Sequence, residues 1–310
     1  MKDDSSQTEG PILCGTDFSS TALEAADIAA GFARRLNTKL VVVHVSAMHE
    51  LGASDPAFAR KVDAKEKVRL EQETARLRKD GTEVESQFRS GPAFEELVTA
   101  ASDCNARFIV MGAVGHGLPH RLLVGSVAER TAETSSVPTL VVRPGGNLQS
   151  WLNGKCALRI LLGYDFSGAA DAAVQWIAQL RKLGSCEINL VHTYWPPEAA
   201  TRFGYKGSIP FGDSPRELRE PLERELQERV SKFIPLEAVT LTAQSAWGTP
   251  ESCLYEISHE QKADLVVVGT HQRAGLGRVR FGSVSRAVLH HAKVSVAVIP
   301  PFKEPEAEGT

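Results

Sequence analysis

Pro11-Ile-Leu-Cys-Gly-Thr-Asp17-Phe-Ser19 and Arg159-Ile-Leu-Leu-Gly-Tyr-Asp165-Phe-Ser167 are one pattern written twice, 148 residues apart. Each is a short apolar run closed by glycine, followed by an aspartate and a Phe-Ser pair that opens a helical period. A buried strand running into a helix start reads this way. The echo continues at the same offset: Leu40-Val-Val-Val-His44-Val45 returns as Ile188-Asn-Leu-Val-His192-Thr193. At an offset of 157, Phe108-Ile-Val-Met-Gly112 returns as Leu265-Val-Val-Val-Gly269, and Gly125-Ser-Val-Ala as Gly282-Ser-Val-Ser. The second copy thus holds nine extra residues between His192 and Gly269, expected in the Pro- and Gly-bearing stretch Trp195 to Pro215.

A repeat of this period means one folding unit used twice. Domains are expected over 9–146 and 155–301, with a linker from Gly145 to Gly154. In the first copy the strand candidates are Ile12 to Gly15, Leu40 to Val45, Glu83 to Phe88, Phe108 to Met111 and Thr139 to Val142. Helical patterns fill the gaps, around Thr21 to Leu36, Ala57 to Lys79, Ala93 to Cys104 and Val127 to Ser135. The charged stretch Ala57 to Lys79 reads as a solvated face. Regular strand and helix alternation implies crossover units and a parallel sheet covered on both sides. The fold class is α/β, two tandem doubly wound five-stranded domains.

Composition narrows the function. The 310 residues carry 35 Lys+Arg against 38 Asp+Glu, a formal net charge of −3, without the basic excess of a domain that neutralises a nucleic-acid backbone. No apolar run approaches the roughly 20 residues of a spanning helix. The first residues lack the apolar core of a secretory signal. Cys14, Cys104, Cys156, Cys186 and Cys253 form no CxxC pair and fit a reducing compartment as structural residues. A cytoplasmic protein without nucleic-acid or membrane partners is expected.

In an open parallel sheet, ligands bind at the carboxyl ends of strands where successive crossovers diverge. Here that selects Gly15-Thr16-Asp17 after the first strand and Gly112-Ala-Val-Gly115 after the fourth. The latter continues, nine residues on, to Gly125-Ser126 at a helix start. Glycines permit positive φ and close approach of a ligand to the backbone. Successive N–H groups make an anion-binding concavity, and a helix start adds unpaired donors and a positive dipole end. Asp17 can accept from a sugar hydroxyl. Each feature alone would be only a turn or a helix cap.

The joint pattern resembles the universal stress protein family in its tandem form, over about residues 9 to 301. Its Gly-2x-Gly-9x-Gly-Ser/Thr loop is met by Gly112, Gly115, Gly125 and Ser126. The resemblance implies an adenine nucleotide alpha-hydrolase-like fold, with ATP and Mg bound in the first copy. Gly15, Asp17 and Val45 would then hold base and ribose, Met111 and Gly112 the sugar and phosphate region, and Gly115, Gly125, Ser126 and Val127 the triphosphate. It also implies that Thr139 to Val142 and Val296 to Ile299, exposed edges unless paired, join the copies as an internal pseudo-dimer; a further homodimer is open.

The second copy keeps Asp165, Gly269, Gly282 and Ser283 but places Gln272 where the loop has glycine. If that position is left-handed, the change costs roughly 1–2 kcal/mol, on the order of tenfold in affinity. Arg273, Arg278 and Arg280 would supply charge nearby. Neither a GxxxxGK[ST] loop, a GxGxxG, a GxSxG nor an HExxH occurs. Asp17 and Arg121 are the nearest to catalytic candidates, so an enzyme is not expected beyond slow ATP hydrolysis or autophosphorylation. His44 and His192 read as satisfied buried histidines, and His290-His291 as a polar helix end. The readings are a stress-response ATP sensor or scaffold, an interaction module with empty sites, or a slow ATPase.

Overall fold

The computed structural model describes residues 10–46, 56–115, 124–212, 214–270 and 282–302. The chain forms two compact units, Met1–Cys156 with Lys293–Ala297 and Ala157–Ala292 with Val298–Thr310. The first holds strands β1 (Ile12–Gly15), β2 (Leu40–Ser46), β3 (Val84–Ser90), β4 (Phe108–Gly112) and β5 (Thr139–Val142). Between them run helices α1 (Ser20–Leu36), α2 (Pro56–Arg78), α3 (Ala93–Asp103) and α4 (Ser126–Thr134), followed by α5 (Leu148–Leu152). The strand order is β3-β2-β1-β4-β5. β1 pairs in parallel with both β2 and β4, Ile12 lying opposite Leu40 on one side and Phe108 on the other. The chain therefore winds outward in one direction from β1 and returns to wind in the other, opening a switch point between β1 and β4.

The second repeat follows the same plan with β6 (Leu158–Gly163), β7 (Cys186–Tyr194), β8 (Val239–Ser245), β9 (Leu265–Gly269) and β10 (Ser295–Ile299) in the order β8-β7-β6-β9-β10. Its helices are α6 (Gly168–Arg181), α7 (Pro196–Phe203), α8 (Arg216–Val230), α9 (Pro250–Glu260) and α10 (Ser283–His291). Five parallel strands per repeat are as expected. The nine extra residues are not all in one place. Leu40 lies opposite Val84 and Ile188 opposite Val239, so the offset is already 155 at β3 and β8. Seven extra residues lie between β7 and β8, the stretch that also holds α7, and two lie between β8 and α9 near Trp247 and Gly248. Proline at the α7 start removes an N–H that a first turn leaves unpaired anyway, which is why a Pro-bearing stretch forms a helix here.

Helix α1 shows how sequence sets the packing. Its buried face is Ala22, Ala25, Ala26, Ala29, Ala30 and Ala33 with Ile28 and Phe32, small residues that let the helix lie close to the sheet. At Gly112 a Cβ would sit 3.0 Å from the backbone of Thr21 and Ala22, and at Gly269 a Cβ would sit 2.9 Å from Ala169. Both glycines close the fourth strand of their repeat because a helix backbone occupies the place of the side chain.

The stretch read as a linker contains α5. Leu148, Trp151 and Leu152 are buried, Trp151 packs on Phe32 with ring centroids 5.9 Å apart, and Arg35 Nε donates to the Leu152 carbonyl at 2.8 Å. None of the five cysteines is in a disulfide. Burial pushes the Cys14 thiol far up and those of Cys186 and Cys253 up to about 11, as for inert packed thiols. No described helix is long and apolar enough to cross a membrane. Trp151→Ala is expected to cost the first unit about 3–5 kcal/mol, read by urea unfolding. A loss below about 1 kcal/mol would mean that α5 is not part of that core.

Candidate functional site

Asp17 organises the carboxyl end of β1. Its Oδ1 accepts from Ser19 N at 2.9 Å and from Ser19 Oγ at 2.6 Å, while Ser19 Oγ accepts from Ala22 N at 3.3 Å and caps α1. The turn holds Phe18 at φ 62°. The other carboxylate oxygen, Oδ2, lies where a Cβ on Gly115 would come within 2.5 Å. Thr21 Oγ1 donates to the Val114 carbonyl, tying the first turn of α1 to the segment after β4. Across it, Gly125 N donates to the Ala113 carbonyl at 2.8 Å and starts α4, which no side chain caps. The N–H groups of its first turn have no intrahelical partner.

These elements enclose a cavity of about 420 Å³, within the range of small-ligand sites. Gly15, Asp17, Val45, Met111, Gly112, Gly115, Gly125, Ser126 and Val127 all line it. The nine first-copy residues expected to hold a nucleotide thus border one space. The reason for the glycines differs from expectation. Gly112, Gly115 and Gly125 do not have positive φ. At Gly115 the constraint is proximity to Asp17, and at Gly125 a Cβ would meet only ordinary contacts, 3.6 Å from the Ala113 oxygen.

Thr16, inside the stretch selected from the sequence, also lines the cavity; sequence reasoning missed other wall residues, among them Ala93, Leu97 and Glu66. Leu97 packs where a Cβ on Gly15 would stand, at 3.0 Å. Glu66 belongs to α2, whose charged pattern reads as solvent-facing throughout. It stands four residues before the buried Leu70, on the same helix face as Thr74 and Leu77, a spacing that the charge of the surrounding positions obscures. His44 was quoted only as a satisfied buried histidine. Its Nδ1 does lie 2.8 Å from the Thr16 carbonyl, but the ring also lines the cavity.

The second repeat reproduces the scaffold. Asp165 Oδ1 accepts from Ser167 N at 3.0 Å, Ser167 Oγ accepts from Ala170 N at 3.1 Å, and Phe166 has φ 62°. Gly269 ends β9, and Gly282, with no side-chain cap, precedes the exposed Ser283 at the start of α10. Gln272, Arg273, Arg278, Arg280 and, in the first copy, Arg121 lie outside the described residues. One difference is plain: Tyr164 stands where the first copy has Thr16. It is buried, its hydroxyl donates to Asp171 Oδ1 at 2.5 Å, and Arg229 from α8 holds Asp171 Oδ2 at 2.6 Å. Burial and the Asp171 carboxylate push the Tyr164 phenol well up.

The class is thus a tandem of doubly wound parallel α/β domains, the first with a glycine-bearing crevice between its first and fourth strands. A family model described as "Universal stress protein family" matches residues 10–143 and 158–300. The chain belongs to the universal stress protein family. It is 32% identical over 143 residues to a universal stress protein of Mycolicibacterium smegmatis, 45% of this chain and 47% of that one. With a universal stress protein of Mycobacterium tuberculosis it shares 24% identity over 306 residues, 93% of this chain and 99% of that one. A universal stress protein from Archaeoglobus fulgidus has the same fold, with a TM-score of 0.69 at 20% identity over 96% of this chain and 99% of that one.

Gly115→Ala is expected to destabilise the first unit by about 1–3 kcal/mol in the wild-type background and by much less beside Asp17→Ala. A double-mutant cycle reads the coupling, and equal costs in both backgrounds would refute the contact. The pH dependence of the second unit has a definite sign. Burial is the largest influence on His192 and depresses its pKa below 6.5. The unfolded chain therefore binds the proton first. The contribution of His192 to stability is present above the unfolded pKa and is lost as pH falls through the folded one. His192→Gln should flatten that acid limb of a stability–pH curve.

Proposed function

We propose that the first repeat binds an adenine nucleotide, ATP with Mg, and that the chain acts as a cytoplasmic nucleotide-responsive sensor or scaffold and not as a fast catalyst. The observation that carries this reading is the convergence of the Asp17 turn, the Gly112 to Gly115 segment and the uncapped start of α4 on one cavity. Such a start favours a phosphate through its N–H groups and dipole. A Cβ at Gly115 would crowd Asp17 in that cradle. Apolar Val45, Met111 and Leu97 suit a planar base, and Asp17 a ribose hydroxyl. Mg would arrive with the triphosphate, held chiefly by the phosphate oxygens. Transfer of the terminal phosphoryl group at useful rates needs a placed cation and a nucleophile-orienting group, which the reading does not invoke.

The second repeat is proposed to bind more weakly, because Tyr164 and Gln272 alter positions that the first repeat fills with Thr16 and Gly115. Calorimetric titration of ATP with Mg tests both statements. Wild type should saturate at about one site per chain, and Gly115→Gln should weaken binding on the order of tenfold or more, about 1.4 kcal/mol per decade. Gln272→Gly should add a second, tighter site. Absence of saturable binding by wild type would reject the nucleotide reading. Intact binding in Gly115→Gln would reject the assignment to the first repeat.

A further inference from the structure

His44 and Glu66 form a contact on the cavity wall that nucleotide binding alone does not explain. The Thr16 carbonyl can only accept, so its 2.8 Å contact fixes the hydrogen on His44 Nδ1. A neutral ring then presents a bare lone pair at Nε2. That atom lies 3.3 Å from Glu66 Oε2. Both atoms are shut off from solvent, and neither makes a hydrogen bond of ordinary geometry among the described residues. An ionised carboxylate is also only an acceptor. Two buried acceptors facing each other repel and leave both unsatisfied. One proton between them turns the clash into a charge-assisted contact.

We propose that His44 and Glu66 share one proton, and that this proton makes anion binding in the first cavity pH-dependent. With the proton present the pair is neutral overall. Once the proton leaves for solvent, an unmatched carboxylate remains in the cavity wall and opposes a phosphate. The second half of the proposal rests on the nucleotide reading; the shared proton does not.

The surroundings support a specific pair. The Phe18 and Phe88 rings flank the imidazole, with centroids 4.5 and 5.6 Å away. Arg69 from α2 covers Phe18 and Lys67 covers Phe88, at 4.8 and 5.0 Å from the ring centroids. Other charged groups on the packed elements are engaged elsewhere. Asp17 caps the β1 turn, Asp63 on α2 accepts from Ser46 at 2.6 Å, and Arg89 on β3 pairs with Asp103 and Glu96. Among the described residues, Glu66 is the carboxylate within ion-pair distance of His44. The second repeat supplies an internal control. His192 Nδ1 meets the Tyr164 carbonyl at 2.9 Å and its ring meets Phe166 at 4.8 Å, with no carboxylate in ion-pair reach among the described residues.

Imidazole nitrogen NMR of the full chain, titrated from about pH 5 to about pH 9, tests the proton without any ligand. His44 should keep its Nε2 proton to higher pH than His192 in the same sample. Glu66→Ala should bring the two together. Glu66→Gln, whose amide can donate to Nε2, should hold His44 in the neutral Nδ1–H form. Identical titration of the two histidines in wild type, or no effect of Glu66→Ala, would overturn the shared proton. The second readout is calorimetric titration with ATP and Mg in buffers of different ionisation heat. Wild-type affinity should fall about tenfold between pH 6 and pH 9, the order expected for one unmatched nearby charge. The protons of ATP itself cancel in the difference from Glu66→Gln, where this fall should vanish. An equal fall in both proteins would overturn the coupling while leaving nucleotide binding standing. Absence of ATP binding at every pH would overturn the nucleotide reading and the coupling together, and the NMR result would still decide the proton.

Discussion

The approach of Asp17 to the backbone at Gly115 is the constraint on which the first site depends. One oxygen of the carboxylate is committed to the turn that caps α1, so the position of the other is fixed by the helix and not by a mobile side chain. That fixes how near the segment after β4 must come, and a Cβ at residue 115 would prevent it. The approach exists only because β1 pairs on one edge with β2 and on the other with β4. Sheet topology, helix capping and the glycine spacing therefore describe a single geometric requirement, and the cavity is the space they leave.

This explains which parts of the structure were legible in the sequence. Strand cores such as Ile12 to Gly15 and Phe108 to Gly112 announce themselves through uninterrupted apolar runs, and the repeat doubles every signal. The start of α1 was legible because Ser19 has cap chemistry that acts within three residues. The wall residues on α2 and α3 were not. Glu66 and Leu97 reach the cavity through helix docking, and although Glu66, Leu70, Thr74 and Leu77 share one helix face at spacings of four, four and three, the charge spread all round α2 hides that stripe in the sequence. Of the two reasons the sequence offers for the loop glycines, positive φ does not hold, and close approach does at Gly112 and Gly115, to helix backbone and to Asp17. Left-handed backbone and close approach both select glycine, and only the position of Asp17 distinguishes them.

Helix α5 illustrates a further limit. Gly145, Asn147, Asn153 and Gly154 have linker composition, and Gly145 and Gly154 do take positive φ, at 78° and 72°. What the pattern conceals is that Leu148, Trp151 and Leu152 between them have a partner. Gly31 on α1 leaves room for Leu152, since a Cβ there would stand 2.9 Å from Leu152 Cδ1. A five-residue helix is too short to be stable through its own hydrogen bonds. It persists because three of its side chains complete the face of α1.

The two repeats diverge where the second helical layer meets the first. In the first repeat Arg76 of α2 bridges Asp27 of α1 at 2.7 Å and the buried Glu73 of its own helix at 2.8 Å, while Glu66 of the same helix faces the cavity. In the second, Arg229 of α8 reaches a buried carboxylate, Asp171, which also takes the Tyr164 hydroxyl. Each arginine is part-exposed and holds a buried carboxylate, so losing either would strand a buried charge; the difference is that Arg229 ties α8 to α6 and the Tyr164 turn, whereas the Glu73 contact stays within α2. Helix α8 is thus anchored to the turn after β6 through Tyr164, at the position where the first repeat keeps a small Thr16 beside its cavity. The same fold has spent that position on tethering in one copy and left it as cavity wall in the other, so a shared ancestry of pattern does not require a shared use of the crevice.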